Sequence, residues 1–375
     1  MLSLAVAMGI GRFAFTPVLP AMLQDEGLTI QAAGWLAAAN YLGYLVGALT
    51  AGSLRMPAPH LASLSLAAIA LSTAAMSLPG VTLWLGLRFA AGALSAYVFV
   101  ATSVWCLGLL SKHNRQDFAP YVYAGVGVGI ALAGGYCWVA GALTVTSGHM
   151  WLHLGLAAAA ISLPLYVWLR AAAFDRSAHA PQPHAARFQP RATCGLVLCY
   201  GVMGFGYIIP ATFLPALARS VMDDPKLFGL AWPVFGMTAA LSTVLAGRWM
   251  ERHGRLNVWA WCQFAMGVGS LLPGLWLNGW TILACAILVG GTFMAITLAG
   301  VQELRARVPS NPGMWVGYLT AAFAIGQISG PVLASVISAT PSSAPAAVSI
   351  ALQIAALALF CTSAWLWRLS SQLHN

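Results

Sequence analysis

Apolar stretches of about twenty residues recur from end to end of this 375-residue chain, and that repetition restricts its folding more than any other feature. A helix needs roughly 20 residues to cross the hydrocarbon layer of a bilayer. Backbone N–H and C=O groups find no water there, so a segment in that layer satisfies its own polar groups as a helix. The alternating ten-residue segments of a membrane β-barrel are absent. Charged residues make up 7% of the chain against roughly 25% in soluble domains, which excludes a soluble globular fold.

Twelve spans fit the pattern: 2–23, 32–54, 61–78, 81–110, 118–145 and 151–169, then 193–217, 227–250, 256–277, 280–299, 314–338 and 346–367. Between the sixth and seventh lies "AAAFDRSAHAPQPHAARFQPRA", rich in Pro, His and Arg and without apolar periodicity, which reads as an exposed linker. The expected organisation is an N-terminal six-helix bundle over 1–170, a linker over 171–192 and a C-terminal six-helix bundle over 193–375.

Of the 17 Lys and Arg residues, 13 fall on one side of this topology, two (Arg219 and Lys226) on the other, and Arg12 and Arg88 within spans. The positive-inside rule then puts both termini and the linker in the cytoplasm. The net charge of +9 is accounted for by topology, so nucleic acid is not an expected partner. The first span has no basic leader before it and reads as retained rather than cleaved. The seven cysteines sit in apolar spans without CxxC spacing, indicating neither a disulfide framework nor a zinc site.

The halves repeat one another. Setting each residue against the one 195 further on pairs "GIGRFAFTPVLPA" with "GFGYIIPATFLPA", aligning Gly9 with Gly204, Gly11 with Gly206 and Pro20 with Pro215. Six spans return the chain to the same side, so the repeat runs parallel, and such halves can rock about a site near the midplane. Tyr207 occupies the repeat position of Arg12.

Several motifs then resemble one family. "GRWMERHGR", from Gly247 to Arg255, resembles the loop motif G-x-x-x-[DE]-R-x-G-[RK] of the major facilitator superfamily (MFS), and "RFAAG" resembles its fourth-helix pattern. "AGVGVGIALAGG" resembles its glycine-rich fifth helix without the usual Gly-Pro, and "GQISGP" a pattern of its eleventh. "GIGRFAFTPVLPAM" followed by "GWLAAANYLGYLVGAL" is similar to the YbfB/YjiJ branch of bacterial transporters. The first-half loop "GSLRMPAPH" departs from the motif, lacking its acid and most of its basic residues. The resemblance implies the MFS fold, an all-α membrane protein with twelve transmembrane helices in two pseudo-symmetric six-helix bundles, and a central cavity lined by the first and fourth helices.

A charged side chain at the centre of a membrane helix costs about 2.5 to 3.5 kcal/mol, so such residues face a cavity or a partner. Arg12 lies about 16 Å into its span and Arg88 roughly 12 Å into its own from the opposite side, near one level. None of the eight acids lies deep in a span, and a bound anion is one available counter-charge. Both arginines are expected to look onto one aqueous chamber; the alternative is that they bond backbone carbonyls and hold helices together. Thr16, one turn beyond Arg12, and Ser95, on the small or polar stripe of Arg88, join them as candidate solute-binding residues, with Tyr207 from the second half.

Asn40 and Gln327 read as buried amides used in helix packing. The glycines at 125, 127, 129, 134 and 135 read as close packing between the halves rather than a phosphate loop. Gly247, Glu251, Arg252, Gly254 and Arg255 are the candidate gate, with charges that bond a neighbouring helix in one state and release it in another. Glu303 is expected to pair with Arg305 and Arg307, and His149 and His153 read as interfacial imidazoles able to carry a proton. No Walker sequence, catalytic carboxylate pair or HExxH occurs, so neither enzyme activity nor a cofactor is expected.

The reading is a monomeric secondary transporter of the bacterial inner membrane, in contact with lipid, moving a small organic anion or amphiphile by alternating access, with a proton as candidate coupling ion. A multidrug-type exporter of aromatic or cationic compounds and a non-transporting sensor or scaffold remain the alternatives.

Overall fold

The computed structural model describes residues 1–174, 190–219, 229–308, 311–337 and 344–374. These contain twelve long helices and no strand: α1 (Leu2–Asp25), α2 (Ile30–Ala51), α3 (Ala58–Ala75), α4 (Val81–Lys112), α5 (Ala119–Ala142), α6 (Ser147–Phe174), α7 (Pro190–Arg219), α8 (Ala231–His253), α9 (Arg255–Leu275), α10 (Gly279–Arg307), α11 (Pro312–Ile337) and α12 (Ala344–His374). Eleven are long and apolar enough to cross a membrane. The exception, α8, has 23 residues, but Trp232, Pro233, Thr238 and Arg248 dilute its apolar character.

Each predicted span therefore has its helix, with ends that differ where polar residues extend the coil. α10 runs on to Arg307 because Glu303 and Arg307, one turn apart, pair at 2.8 Å across its last turn. α6 starts at Ser147, where the backbone N–H donates to the Asp25 carboxylate at 2.6 Å. Most of the expected linker, residues 175–189, lies outside the described residues, as do residues 220–228 of the loop that carries Lys226.

The chain divides into two compact units, Met1–Pro183 with Asn311–Ala321, and His184–Ser310 with Ala322–Asn375. In the first unit α2 and α4 cross at glycine. A Cβ on Gly43 would strike the Phe89 carbonyl, one on Gly47 the Ala93 carbonyl, and one on Gly92 the Asn40 carbonyl. Such close approach is what small residues give membrane helices, where tails as apolar as leucine supply no hydrophobic drive between helices. Gly125 and Gly129 of α5 face the backbone of Met1 and Ala5 on α1, so these glycines pack inside one bundle, contrary to the expectation that they join the halves. The fifth helix packs against the first in this unit through these two glycines, while Gly135 faces open space.

The second unit repeats this contact. Gly204 of α7, the repeat position of Gly9, faces the Phe323 carbonyl of α11, and Gly326 faces the Gly201 carbonyl in return. In the first unit Gly9 meets Gly129 of α5, the helix that α11 repeats. The internal symmetry seen in the sequence is thus a symmetry of helix crossings.

Candidate functional site

The seam between α1, α2 and α4 holds both membrane arginines. Residues Ala5–Phe13 of α1 form a π-helix, a wider coil whose hydrogen bonds run one residue further than in an α-helix. Gly9 and Gly11 lower the local preference for the α form, and Pro17 carries no N–H. In the α register Pro17 would leave the Phe13 carbonyl without its donor, and in the π register the Arg12 carbonyl. The helix is thereby opened where its one cation sits.

Arg88 of α4 closes that gap. Its guanidinium donates from Nη2 to the Arg12 carbonyl at 3.1 Å and from Nη1 to the Gly11 carbonyl at 3.3 Å, and it stacks 4.8 Å from the centre of the Phe15 ring. Asn40 of α2 donates from Nδ2 to the carbonyl of Arg88 itself at 2.9 Å, fastening the third helix to the same point. Ser95, further along α4, donates to the Ala7 carbonyl on α1 and to the Ala91 carbonyl on its own helix, both at 2.7 Å.

Arg12 lies on aromatic faces. Its guanidinium carbon is 3.6 Å from the centre of the Tyr44 ring, with Phe13 at 5.4 Å and Tyr41 at 5.9 Å. A cation over a ring face within about 6 Å gains roughly 2 kcal/mol when desolvated. Arg12 and Arg88 are 2% and 3% exposed. Of the two expectations, a shared aqueous chamber or bonds to backbone carbonyls that hold helices together, Arg88 shows the second in this structure, while Arg12 lies buried beside it against the rings of α2. Thr16 is half-buried beyond them on α1.

The second unit has no cation at the corresponding place. Tyr207 is fully buried and stacks on Phe293 at 5.0 Å, with Phe323 at 6.0 Å and Phe235 at 6.2 Å. Phe235 in turn stacks on Phe293 at 5.4 Å and on Trp232 at 5.3 Å. Gln327 of α11 is completely buried.

At the turn between α8 and α9, Gly254 has φ +80° and ψ 154°, a backbone conformation that only glycine adopts readily. Glu251 and Arg252 are exposed and Gly247 is partly buried. Arg255 reaches Glu303 at 3.9 Å, and Arg307 holds the other oxygen of that carboxylate at 2.8 Å. Glu303 thus ties the α8–α9 turn to the end of α10.

Sequence reasoning did not single out Tyr41, Tyr44 or Phe15, although Asn40 and Tyr44 are four residues apart and so share a helix face. It also passed over Gln263, which accepts from Trp259 Nε1 at 2.7 Å and donates to the Cys199 carbonyl at 3.2 Å and to Thr362. An amide so placed in an apolar span carries the same signal that marked Asn40.

Comparison with known proteins bears on this geometry. A family model described as "Uncharacterised MFS-type transporter YbfB" matches residues 4–365. A staphyloferrin B transporter of Staphylococcus aureus is 25% identical over 178 residues, 46% of this chain and 43% of that protein. Multidrug resistance protein 1 of Bacillus subtilis is 26% identical over 139 residues, 34% of this chain and 33% of that protein. The matched region is thus less than half the length of either relative. The crystal structure of the human organic anion transporter MFSD10 (TETRAN) is similar with a TM-score of 0.73 and 16% identity, covering 97% of each chain, a likeness of fold.

Proposed function

The chain belongs to the YbfB-type family of major facilitator transporters, multi-pass membrane proteins rather than enzymes, and from that premise we propose that it is a secondary carrier of a small organic anion or amphiphile, working by alternating access. One observation carries the choice of an anion. Two guanidinium groups lie buried side by side on α1 and α4, while every described carboxylate stands at a helix end or in a turn. That segment of membrane interior is cationic by two charges, and a solute carboxylate is complementary to it.

In this reading the two arginines have different work. Arg88 is a strut that keeps α1 open, and Arg12 is the group that leaves the Tyr44 face to meet the solute. Thr16 and Ser95 border the same stretch of α1 and α4 and are proposed solute contacts, as is Tyr207 on α7. Gly247, Glu251, Arg252, Gly254 and Arg255 are proposed as a gate whose closed form uses Glu303. Asn40 and Gln327 hold helices together. In this proposal the protein is a monomer in the bacterial inner membrane with both termini cytoplasmic, the orientation being supported by the one-sided distribution of Lys and Arg. A proton is the proposed coupling ion.

The aromatic cluster around Tyr207 and Phe293 favours a second reading, a multidrug-type exporter of aromatic or cationic compounds. One experiment separates the two. Purified protein in proteoliposomes is offered a panel of organic carboxylates and organic cations, with wild type and Arg12→Gln measured side by side. Carboxylate flux that falls at least tenfold in Arg12→Gln supports the anion reading. Cation flux, or carboxylate flux indifferent to Arg12, refutes it, and a scaffold moves neither.

A further inference from the structure

We propose that His149 and His153 on α6 form a two-imidazole site for a divalent transition-metal ion. The pair stands four residues apart, a spacing that puts two side chains on one helix face with Cβ atoms roughly 5–6 Å apart. Both side chains are exposed, and their ring centres are 6.3 Å apart. A metal ion 2.0–2.1 Å from each ligating nitrogen stands about 3 Å from each ring centre, so two rings on one ion lie up to about 6 Å apart. The observed separation is slightly wider than this limit, so binding an ion draws the two rings together.

The decisive feature lies behind the rings. His149 Nδ1 is 2.7 Å from Thr146 Oγ1, and His153 Nδ1 is 2.6 Å from the hydroxyl of Tyr136 on α5. Metal-binding histidines have their second nitrogen fixed by a hydrogen bond, which sets tautomer and ring direction. Here both rings have that partner, and with Nδ1–H donating to the hydroxyl each Nε2 keeps a bare lone pair turned away from it. Tyr136 also meets His153 edge to face at 6.0 Å, restraining the ring a second time.

Charge at the site is favourable as well. The start of a helix bears partial positive charge, which repels a cation. Asp25 at the end of α1 accepts the Ser147 N–H, two residues before His149, and sets a full negative charge against that end. No cluster of three or more His, Cys, Asp or Glu suited to a metal occurs among the described residues, so the protein supplies two ligands and leaves the other positions to water or an external ligand. Imidazole nitrogen suits copper, nickel and zinc, with Cu²⁺ bound most tightly. The site is separate from the arginine seam and does not rest on the transport reading.

The test uses the untagged full chain in detergent micelles, titrated with Cu²⁺ and followed by equilibrium dialysis and electron paramagnetic resonance. Wild type is expected to bind one ion at this site, with hyperfine coupling to two nitrogens. His149→Ala and His153→Ala each remove one ligand at an exposed position, lower affinity at least tenfold and lose the two-nitrogen signature. The other histidines are common to all variants, so the difference isolates this pair. Tyr136→Phe keeps both imidazoles and loses about tenfold by releasing one ring. Equal affinity and an unchanged spectrum in the two histidine variants would overturn the site, and an unchanged Tyr136→Phe would overturn the orienting role of the hydroxyl.

Discussion

Replacing Arg88 with lysine keeps the charge and removes the fork. Interhelical hydrogen bonds inside membranes average about 0.6 kcal/mol and reach about 1.7. A charged donor lies at the upper end of that range, so the two bonds to the Gly11 and Arg12 carbonyls are worth about 3 kcal/mol together. An ammonium group at the end of a flexible stem holds one carbonyl, not two, and weakens the cation–ring contact with Phe15, worth about 1 kcal/mol. The expected loss is about 2–3 kcal/mol. Chains of 150–250 residues lose roughly 2–4 °C per kcal/mol, and the lower figure gives a fall of about 5 °C here. The assay is thermal unfolding of purified protein in one detergent at a fixed scan rate, since unfolding of such proteins is kinetically controlled. A midpoint within 1 °C of wild type would refute the claim that Arg88 braces α1.

Gly43→Ala drives a methyl group into the Phe89 carbonyl and should lower the midpoint by several degrees, whereas Gly86→Ala, with open space around it on the same helix pair, should keep the midpoint or raise it slightly in the same assay. Gly254→Ala forces a side chain into a backbone region reserved for glycine and should cost about 1–3 kcal/mol, read as a lower midpoint, without altering solute specificity.

Eleven of the twelve helices were legible because hydrophobic length dictates them, and the repeat was legible because glycine recurs where the same crossing is made twice. The site was legible in its charges and in the polar side chains of Asn40 and Ser95, but not in its contacts. That Arg12 and Arg88 stand at one level follows from counting residues, but that Arg88 reaches carbonyls 76 and 77 positions earlier depends on how α1 opens. The opening needs the π register, and sequence periodicity does not distinguish a π turn from an α turn over nine residues. The aromatic faces under Arg12 were hidden for a related reason. Tyr41 and Tyr44 look like ordinary packing residues until the glycines at 43, 47 and 92 bring α2 against α4.

The balance of forces around Arg12 also says how it can act. Two arginines within membrane helices cost about 5–7 kcal/mol. The two carbonyl bonds of Arg88, its stacking on Phe15 and the face of Tyr44 return about 6 kcal/mol, so the pair is tolerated without any bound anion. An arriving carboxylate therefore competes with Tyr44 for Arg12. Removing the competitor should tighten binding: Tyr44→Leu gives up about 2 kcal/mol of ring attraction in the unloaded protein and so should raise carboxylate affinity up to about 30-fold, at the expense of a lower unfolding midpoint. Tyr44→Phe keeps the ring but removes the hydroxyl that hydrogen-bonds Arg12, and should bind between wild type and Tyr44→Leu. The measurement is titration of the carboxylate identified by flux, against both variants. Weaker binding in Tyr44→Leu would mean that the ring orients Arg12 toward the solute, and the picture of an exchangeable aromatic counter-face would be wrong.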